Sequence, residues 1–232
     1  WPGVRHLMAK DIIRFHCVYW PAMLMAAGYE LPQQIFVHGY LLLDDRKISK
    51  SLGNVVNPDE VIASHGADAL RLYEMFLGPL EASKPWNTAG IDGIARFLNR
   101  VWRMIVTDEG TLSSAVVKGA STPELDRVLH QTIKKTYEDI DNLSFNTTIA
   151  QFMIFVNEFT KSDVRDHAAM TAFVQCLAPF APHITEELWS ILEHEGSVHH
   201  SAFPVFDEAK LAVNEVEIVL QVNSKIRGKI VV

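Results

Sequence analysis

The sequence predicts an α/β segment followed by an all-α antiparallel helical bundle and a short C-terminal β-hairpin. At the start, a helical pattern is followed by the apolar run 35–43, typical of a buried strand, and then by a cationic loop. From residue 90 to residue 194, apolar stripes recur at helical spacing. Near the end, Val216, Ile218, Leu220 and Val222 recur at every second position, as in a strand with one buried face.

Length and composition indicate a folded globular chain. Its 232 residues suffice for one large or two modest domains, and 48% hydrophobic with 21% charged residues excludes the disordered class. The formal net charge of −7 argues against broad non-specific binding of nucleic acid. Any contact with RNA therefore requires local basic stripes.

Cysteine usage and hydropathy predict a cellular location. Cys17 and Cys176 are far apart and flanked by apolar residues, which predicts buried free thiols in a reducing cytoplasm. No run is apolar for long enough to span a membrane and no signal peptide is visible, so we expect a cytoplasmic protein with no membrane contact. The chain begins at Trp1 rather than Met, and we expect it to be a piece of a longer protein.

The first helix is predicted over residues 11–27. Gly28 ends the pattern, and Pro21 predicts a kink or a restart near Tyr19. Pro32 then leads into the strand 35–43. The side chains of this helical region that we expect to be core are Ile12, Phe15, Tyr19, Met23 and Met25.

A second helical region begins at residues 57–60, Asn-Pro-Asp-Glu. Asn at the N-cap, Pro at the first helical position and acidic residues in the first turn all match a helix start. Gly66 interrupts the helix, residues 67–77 resume it, and Gly78 with Pro79 ends it. Residues 80–88 are predicted to be a connector.

The bundle helices are predicted from apolar stripes within residues 91–105, 125–140, 149–156 and 170–177. Residues 107–122, rich in small and polar side chains, are predicted to be a loop or linker. Beyond Pro179 and Pro182, a further amphipathic helix is predicted over residues 183–192. Asn223 and Ser224 predict the turn of the terminal hairpin.

The loop after the predicted strand carries the strongest chemical pattern, since residues 47–54 read Lys-Ile-Ser-Lys-Ser-Leu-Gly-Asn. Lysines neutralise phosphate oxygens, hydroxyls donate hydrogen bonds, and glycine lets the backbone approach a ligand closely. The pattern thus indicates a polyphosphate site, although a solvated turn with two surface lysines fits the spacing equally well.

Two basic patterns indicate contact with a nucleic-acid backbone. Arg96, Arg100 and Arg103 share one helix face, which suits phosphate contacts but also an ordinary solvated face near acidic residues. Alternating cations in the hairpin suit phosphate contacts too, or protection of an edge strand against aggregation. They are Lys225, Arg227 and Lys229.

The histidines do not form a convincing metal site. His194, His199 and His200 cluster only loosely beside Glu193 and Glu195, without the tight spacing that a metal needs. We therefore predict no bound metal in the protein itself.

The loop at 47–54 resembles the KMSKS signature of class I aminoacyl-tRNA synthetases, with Ile48 in place of Met. In that family the two lysines stabilise the ATP phosphates while the amino acid carboxylate attacks the α-phosphorus. The resemblance implies catalytic roles for Lys47 and Lys50, with ATP and Mg²⁺ as cofactors. It also implies contacts to ATP from Ser49, Ser51, Asp11 at the ribose, and His38 and Gly39 on the adenine side.

Nearly the whole chain resembles the methionine/leucine/isoleucine/valine branch of this class. Residues 6–24 are similar to methionyl enzymes, with Ala9 where Gly is usual. From residue 57 the similarity is to bacterial leucyl enzymes and covers more of the chain, so we favour leucine over methionine; a fusion of the two near Asn54 stays open. The leucyl-like motifs include Gly-Ala-Asp-Ala-Leu-Arg at 66–71, Arg-Phe-Leu-Asn-Arg-Val-Trp-Arg at 96–103, Leu-Ala-Pro-Phe-Ala-Pro-His at 177–183, and 222–229 with Ser224 replacing Gly.

The resemblance also implies an organisation and partners. Residues 1–60 correspond to the second half of a Rossmann-like catalytic domain, 61–110 to connecting helices, 111–200 to the tRNA-binding bundle, and 201–232 to the start of a small C-terminal α/β domain. The expected partners are tRNA, ATP and the amino acid, and the expected state is a monomer.

The resemblance leaves alternative functions open. The second ATP signature of the class, HIGH, does not occur in this sequence, so we expect the chain alone not to aminoacylate. A non-catalytic tRNA-binding module and a helical scaffold without a nucleic-acid role are the alternatives.

Overall fold

A computed structural model describes residues 3–212, 217–222 and 225–231. The chain opens with strand β1 (Arg5–Ala9), a 3₁₀ turn (Lys10–Ile12), a π-helical turn (Arg14–Tyr19), helix α1 (Trp20–Ala26) and strand β2 (Gln34–His38). β1 and β2 pair in parallel, with Ala9 opposite His38 at their carboxyl ends.

A second, three-stranded sheet follows, in the order β4-β3-β5. It consists of β3 (Leu41–Leu43), β4 (Arg46–Lys47) and β5 (Lys84–Pro85), with β3 antiparallel to β4 and parallel to β5. Helices α2 (Pro58–His65) and α3 (Ala67–Phe76) lie between β4 and β5 in the chain. The single strand predicted at 35–43 is thus wrong, because Gly39 and Tyr40 interrupt it, and the predicted connector contributes a strand.

The remaining helices are α4 (Ile91–Ile105), α5 (Pro123–Asn142), α6 (Phe145–Phe159), α7 (His167–Leu177) and α8 (Pro182–Ile191). They match the predicted apolar stripes. Short strands β6 (Val116–Val117) and β7 (Arg165–Asp166) pair in parallel. Strands β8 (Glu217–Val222) and β9 (Lys225–Val231) pair antiparallel, while the predicted turn residues Asn223 and Ser224 lie outside the described residues.

Helix boundaries in the middle of the chain follow local chemistry as predicted. The Asn57 side chain accepts a hydrogen bond from the Asp59 amide at 3.1 Å and caps α2. Gly66 separates α2 from α3 with a φ of +87°, a value that favours glycine. The break between the two helices therefore needs no tertiary contact.

The first helical region departs from the prediction in both geometry and burial. The Trp20 amide donates to the Phe15 carbonyl, five residues back, so the turn before α1 is π-helical, and Pro21 lies in the first turn of α1. Ile12, Phe15, Tyr19, Met23 and Met25 are 37–66% exposed, so the prediction that they are core is wrong. Leu24 is the buried residue of α1.

The cysteine prediction is half wrong. Cys176 is buried in α7, where burial raises the pKa of its thiol to about 12. Cys17 is exposed, because it lies on the uncovered π-helical turn.

Within the described residues, no helix combines the length and the hydropathy needed to cross a membrane.

One apolar core extends from Val61 in α2 to Val198 beyond α8. Its centre is a group of fully buried phenylalanines from three segments of the bundle. The rings of Phe155 and Phe173 stack with centroids 4.2 Å apart, and Phe152 meets Phe180 edge-on at 5.2 Å. Because α3 and α4 share this core with α6 and α8, the small sheet is attached to the bundle through packing.

A polar junction reinforces this attachment. Asp68 in α3 accepts hydrogen bonds from the amides of His183 (3.3 Å) and Ile184 (2.8 Å), and its carboxylate also lies 2.8 Å from His183 Nδ1. α8 has no side-chain cap of its own, so Asp68 caps it from another helix. One turn further along α3, Arg71 donates to the carbonyls of Pro179 (2.9 Å) and Phe180 (3.3 Å).

The segment 203–212 folds back along α5. The Asp207 amide donates to His130 Nδ1 at 3.0 Å, and Lys210 pairs with Asp126 at 2.9 Å. Lys134 pairs with Glu208 at 2.8 Å. Because Nδ1 of His130 accepts a hydrogen bond, the ring must be neutral for this contact to form.

We expect Asp68→Ala to lower the free energy of unfolding by about 2 kcal/mol, because it leaves two part-buried amides in the first turn of α8 without acceptors. Asp68→Asn, which keeps one acceptor oxygen, should lose roughly half as much. Urea unfolding measures both. Asp108→Ala, at an exposed carboxylate, serves as the control and should change stability by less than about 0.5 kcal/mol.

The packing of the segment 203–212 against α5 should weaken in mild acid. Burial, helped by the Lys210 charge, lowers the pKa of His130 below its ordinary value of 6.5. The unfolded chain therefore takes up a proton first, so stability is complete above about pH 6.5 and falls as the pH decreases towards the folded pKa. Melting temperatures between pH 7.5 and pH 5 should show this fall, and His130→Gln should reduce it; an unchanged slope in the variant would contradict the assignment.

Candidate functional site

A cleft of about 470 Å³ lies between the three-stranded sheet and helices α2 and α3. Leu41, Ile48 and Trp86 form part of its apolar lining. Its polar lining comes from the end of β2 and the two residues that follow it, and from β4, α3 and β5. These polar residues are His38, Gly39, Tyr40, Lys47, Glu74 and Lys84.

Gly39 is required by a close approach of two backbones. Its amide donates to the Leu80 carbonyl at 2.9 Å, and a Cβ at this position would lie 2.1 Å from the Ala82 carbonyl oxygen. Any larger residue would push the segment before β5 away from β2. Beside it, His38 is half-buried, with Nδ1 2.8 Å from the Gly39 carbonyl oxygen.

Lys47 and Asp11, two residues that the sequence predicts to contact ATP, lie together in the structure. Lys47 Nζ is 2.6 Å from Asp11 Oδ2 and 4.4 Å from the centre of the Tyr40 ring. The hydrogen bond between them raises the pKa of Lys47 and lowers the pKa of Asp11. Lys47 is therefore a charged donor at the edge of the cleft, with a partner that a ligand could replace.

The loop after Lys47 is organised by Asn54. Its side chain accepts from the Ser49 amide at 2.9 Å and donates to the Lys47 carbonyl at 3.1 Å, which closes the loop. A 3₁₀ turn (Lys50–Leu52) follows, and Gly53 ends it with a φ of +68°. The sequence offered Asn54 only as part of the signature, without a role.

The hydroxyls and the second lysine of the loop lie outside the cleft wall. The Ser49 and Ser51 hydroxyls are 2.8 Å apart and hydrogen-bond to each other, and Lys50 and Ser51 are exposed. Ile48 lines the cleft and packs against the core, in agreement with a packing role at the position where the signature has Met.

Sequence reasoning missed two charged residues of the cleft. Lys84 is only 7% exposed, and burial lowers its pKa. Burial also raises the pKa of Glu74, against the effect of Arg71. Neither residue belongs to a recognisable motif, because Lys84 reaches the cleft through the pairing of β5 with β3 and Glu74 reaches it from α3.

The three arginines of α4 form an exposed basic face. Arg96, Arg100 and Arg103 point away from the buried stripe of the helix, and Arg100 donates to the Thr160 hydroxyl at 3.4 Å. Within residues 3–212 none of the three forms an ion pair, and the nearby Asp92 pairs with His65 at 3.0 Å instead. This arrangement leaves the guanidinium groups available to phosphates.

Lys225, Arg227 and Lys229 belong to β9, where Lys225 is opposite Val222 and Lys229 is opposite Val219. Their side chains lie outside the described part of the structure. Among the described residues, no group of three or more His, Cys, Asp or Glu side chains could hold a metal ion.

Comparison with known proteins gives two complementary family matches. Residues 2–93 match the model "tRNA synthetases class I (M)", and residues 124–232 match the model "Anticodon-binding domain of tRNA ligase". Among solved structures, the chain is similar to the LeuRS (agnB2) of Agrobacterium radiobacter K84, in a ternary complex with tRNA and LeuAMS. The TM-score is 0.80 at 25% identity, over 100% of this chain and 33% of that chain.

The chain belongs to the class I aminoacyl-tRNA synthetases: it combines part of the catalytic domain with the anticodon-binding domain and has a leucyl-type solved structure as a neighbour. It spans about a third of the length of that neighbour.

The close approach at Gly39 gives a pair of glycine substitutions with opposite expected effects. Gly39→Ala should lower the free energy of unfolding by at least about 2 kcal/mol, since the new methyl group meets the Ala82 backbone. Gly93→Ala, in α4 with open space around it, should raise it by about 0.5–1 kcal/mol. Denaturant unfolding compares the two, and a harmless Gly39→Ala would contradict the close approach.

Proposed function

We propose that this chain is the part of an ATP-dependent aminoacyl-tRNA ligase that holds the ATP phosphates and the tRNA, with leucine as the favoured amino acid. The proposal rests on the ion pair between Lys47 and Asp11 at the edge of the cleft. Residues 36 positions apart, each matched to an ATP contact by resemblance, lie within hydrogen-bond distance.

In the proposed reaction, an oxygen of the amino acid carboxylate attacks the α-phosphorus of ATP. The bond between the α-phosphorus and its bridging oxygen breaks, and pyrophosphate leaves with that electron pair. Negative charge grows on the phosphate oxygens, and ammonium groups stabilise it electrostatically. Lys47 would exchange the Asp11 carboxylate for a phosphate oxygen, and Asp11 would then accept from the ribose hydroxyls.

The other loop residues would act when ATP draws the loop towards the cleft. Lys50 is exposed at the start of a short 3₁₀ turn, so it can reach a phosphate by rearrangement of this turn. Ser49 and Ser51 would donate hydrogen bonds to phosphate oxygens once they part from each other. His38 and Gly39 would face the adenine, and Mg²⁺ would arrive bound to the ATP phosphates, its usual ligands.

The basic face of α4 would bind the tRNA. Arg96, Arg100 and Arg103 have no carboxylate partners within residues 3–212 and can contact consecutive phosphates without reading sequence. Lys225, Arg227 and Lys229 would extend these contacts. The aminoacyl group would pass to a terminal ribose hydroxyl of the tRNA, with AMP as the leaving group.

The amino acid and the activity of the isolated chain are proposals on sequence grounds. The leucyl-like motifs and the LeuRS neighbour favour leucine, while the matched model of residues 2–93 favours methionine for that part. Because the HIGH signature does not occur in the sequence, we propose that the 232-residue chain alone does not aminoacylate.

A non-catalytic tRNA-binding module is the second candidate. Two observations favour it: Lys50 and Ser51 lie outside the cleft lining, and the anticodon-binding match covers residues 124–232, nearly half of the chain.

Two substitutions in a synthetase that contains this chain separate these functions. Lys50→Ala should lower ATP–pyrophosphate exchange about 100-fold or more and leave tRNA affinity unchanged, because the lysine acts on phosphates in the transition state. Arg100→Glu should leave the exchange unchanged, weaken tRNA binding and reduce its salt dependence. Filter binding at several salt concentrations measures the second effect.

The opposite pattern would support the binding module. If Lys50→Ala retains full exchange but loses tRNA, the loop serves RNA binding and not activation. Absence of any tRNA retention by the parent at low salt would contradict both functions and favour a scaffold.

A further inference from the structure

Lys84 is a largely buried lysine whose ammonium has no direct counter-ion among residues 3–212. It lies on β5, lines the cleft and is 7% exposed. Within residues 3–212, its ammonium forms no ion pair and no hydrogen bond with another residue. Glu81 is the acidic neighbour that acts on it, and it does so only at a distance.

An uncompensated cation is unfavourable in such a place. Burial without a partner penalises the charged form, and the lowered pKa of Lys84 reflects this penalty. A partner would remove the penalty. An anion that enters the cleft would be such a partner, because no carboxylate of residues 3–212 forms an ion pair with this ammonium.

The other charges of the cleft do not take this role. Lys47 is already paired with Asp11, and Glu74, which lines the same cleft, forms no ion pair with Lys84 in the described part of the chain. The ammonium of Lys84 is therefore left without a direct counter-ion among residues 3–212. A cleft with one unpaired cation and an apolar wall suits a ligand with an anionic group attached to a flat, weakly polar body.

A packing role alone would explain the stem of Lys84 but not its ammonium. The stem passes close to Gly78, where an added Cβ would lie 3.9 Å from Lys84 Cδ. Methionine would fill this space as well as lysine and would carry no charge to bury.

We propose that Lys84 is a further phosphate-binding residue of the cleft, which contacts a phosphoryl oxygen of the bound nucleotide from the side opposite the signature loop. This proposal rests on the proposed function, since it assumes that the nucleotide occupies this cleft. A small nucleotide suits the site better than an RNA strand, because the cleft of about 470 Å³ has the size of a small-ligand pocket. The unpaired arginines that suit an RNA backbone lie instead on the exposed face of α4.

The test uses the 232-residue chain with tripolyphosphate and ATP as probes. Calorimetric titration gives the affinities of the unsubstituted chain, Lys84→Met and Lys84→Arg. Lys84→Met should weaken the binding of both probes about tenfold or more, the usual effect of losing one charge-assisted hydrogen bond, while Lys84→Arg should retain most of it. Lys118→Met, at an exposed lysine of the loop after α4, removes the same charge and should change neither affinity.

A second measurement reports on the ammonium itself. The ¹³Cε resonance of Lys84, identified by its loss in Lys84→Met, yields the pKa of this residue with and without tripolyphosphate. Contact with the anion should raise that pKa, because a negative neighbour favours the charged form. A role in packing alone would leave the pKa unchanged.

The outcomes separate this inference from the function on which it rests. If tripolyphosphate binds and shifts the resonances of Lys47 or Lys50 while the affinity and pKa at Lys84 stay constant, the role of Lys84 is wrong and the phosphate site remains. If neither probe binds the unsubstituted chain, both are wrong. If a single-stranded RNA oligonucleotide shifts the ¹³Cε resonance of Lys84 and tripolyphosphate does not, the assignment of the site to a nucleotide is overturned.

Discussion

The buried carboxylate of Asp68 joins two parts of the chain that are more than 100 residues apart. It supplies the cap that α8 lacks, and Arg71, one turn later, binds the carbonyls just before α8. Both side chains belong to α3, the helix that also forms a wall of the cleft. The orientation of the cleft relative to the bundle is therefore fixed by a small set of charge-assisted hydrogen bonds above a shared aromatic core.

A second constraint positions the cleft itself. The backbone contact at Gly39 holds the segment 80–82 against the end of β2, and this contact places β5 alongside β3. Lys84 and Trp86 enter the cleft only because of that pairing. A residue without a side chain thus determines where a lysine and a tryptophan, more than 40 positions later, can act.

The sequence predicted features that depend on neighbouring residues. The cap at Asn57, the break at Gly66 and the bundle stripes need only local chemistry, and each was found as expected. It could not predict contacts between distant segments, such as Lys47 with Asp11 or β5 with β3. Periodicity also failed at Phe15 and Met23, because a helical repeat indicates an apolar face but not what covers that face.

Some candidate site residues could likewise be recognised from neighbouring residues in the sequence, whereas others became visible only in the folded chain. The signature loop was recognised because its residue types and spacing are contiguous. Lys84 and Glu74 carry no motif, and their perturbed pKa values arise from burial that only the folded chain creates.

The uncovered aromatic and methionine side chains of residues 15–25 affect how the chain behaves in solution. Water in contact with such surface is released when two molecules associate. Association through this surface therefore becomes more favourable as the temperature rises and when salting-out ions such as sulfate are added. Met23 and Met25 also offer their thioethers to peroxide, and sulfoxide formation there would make this surface more polar without disturbing the bundle core. Salting-out ions and peroxide therefore change the surface of the α/β segment before they change the bundle.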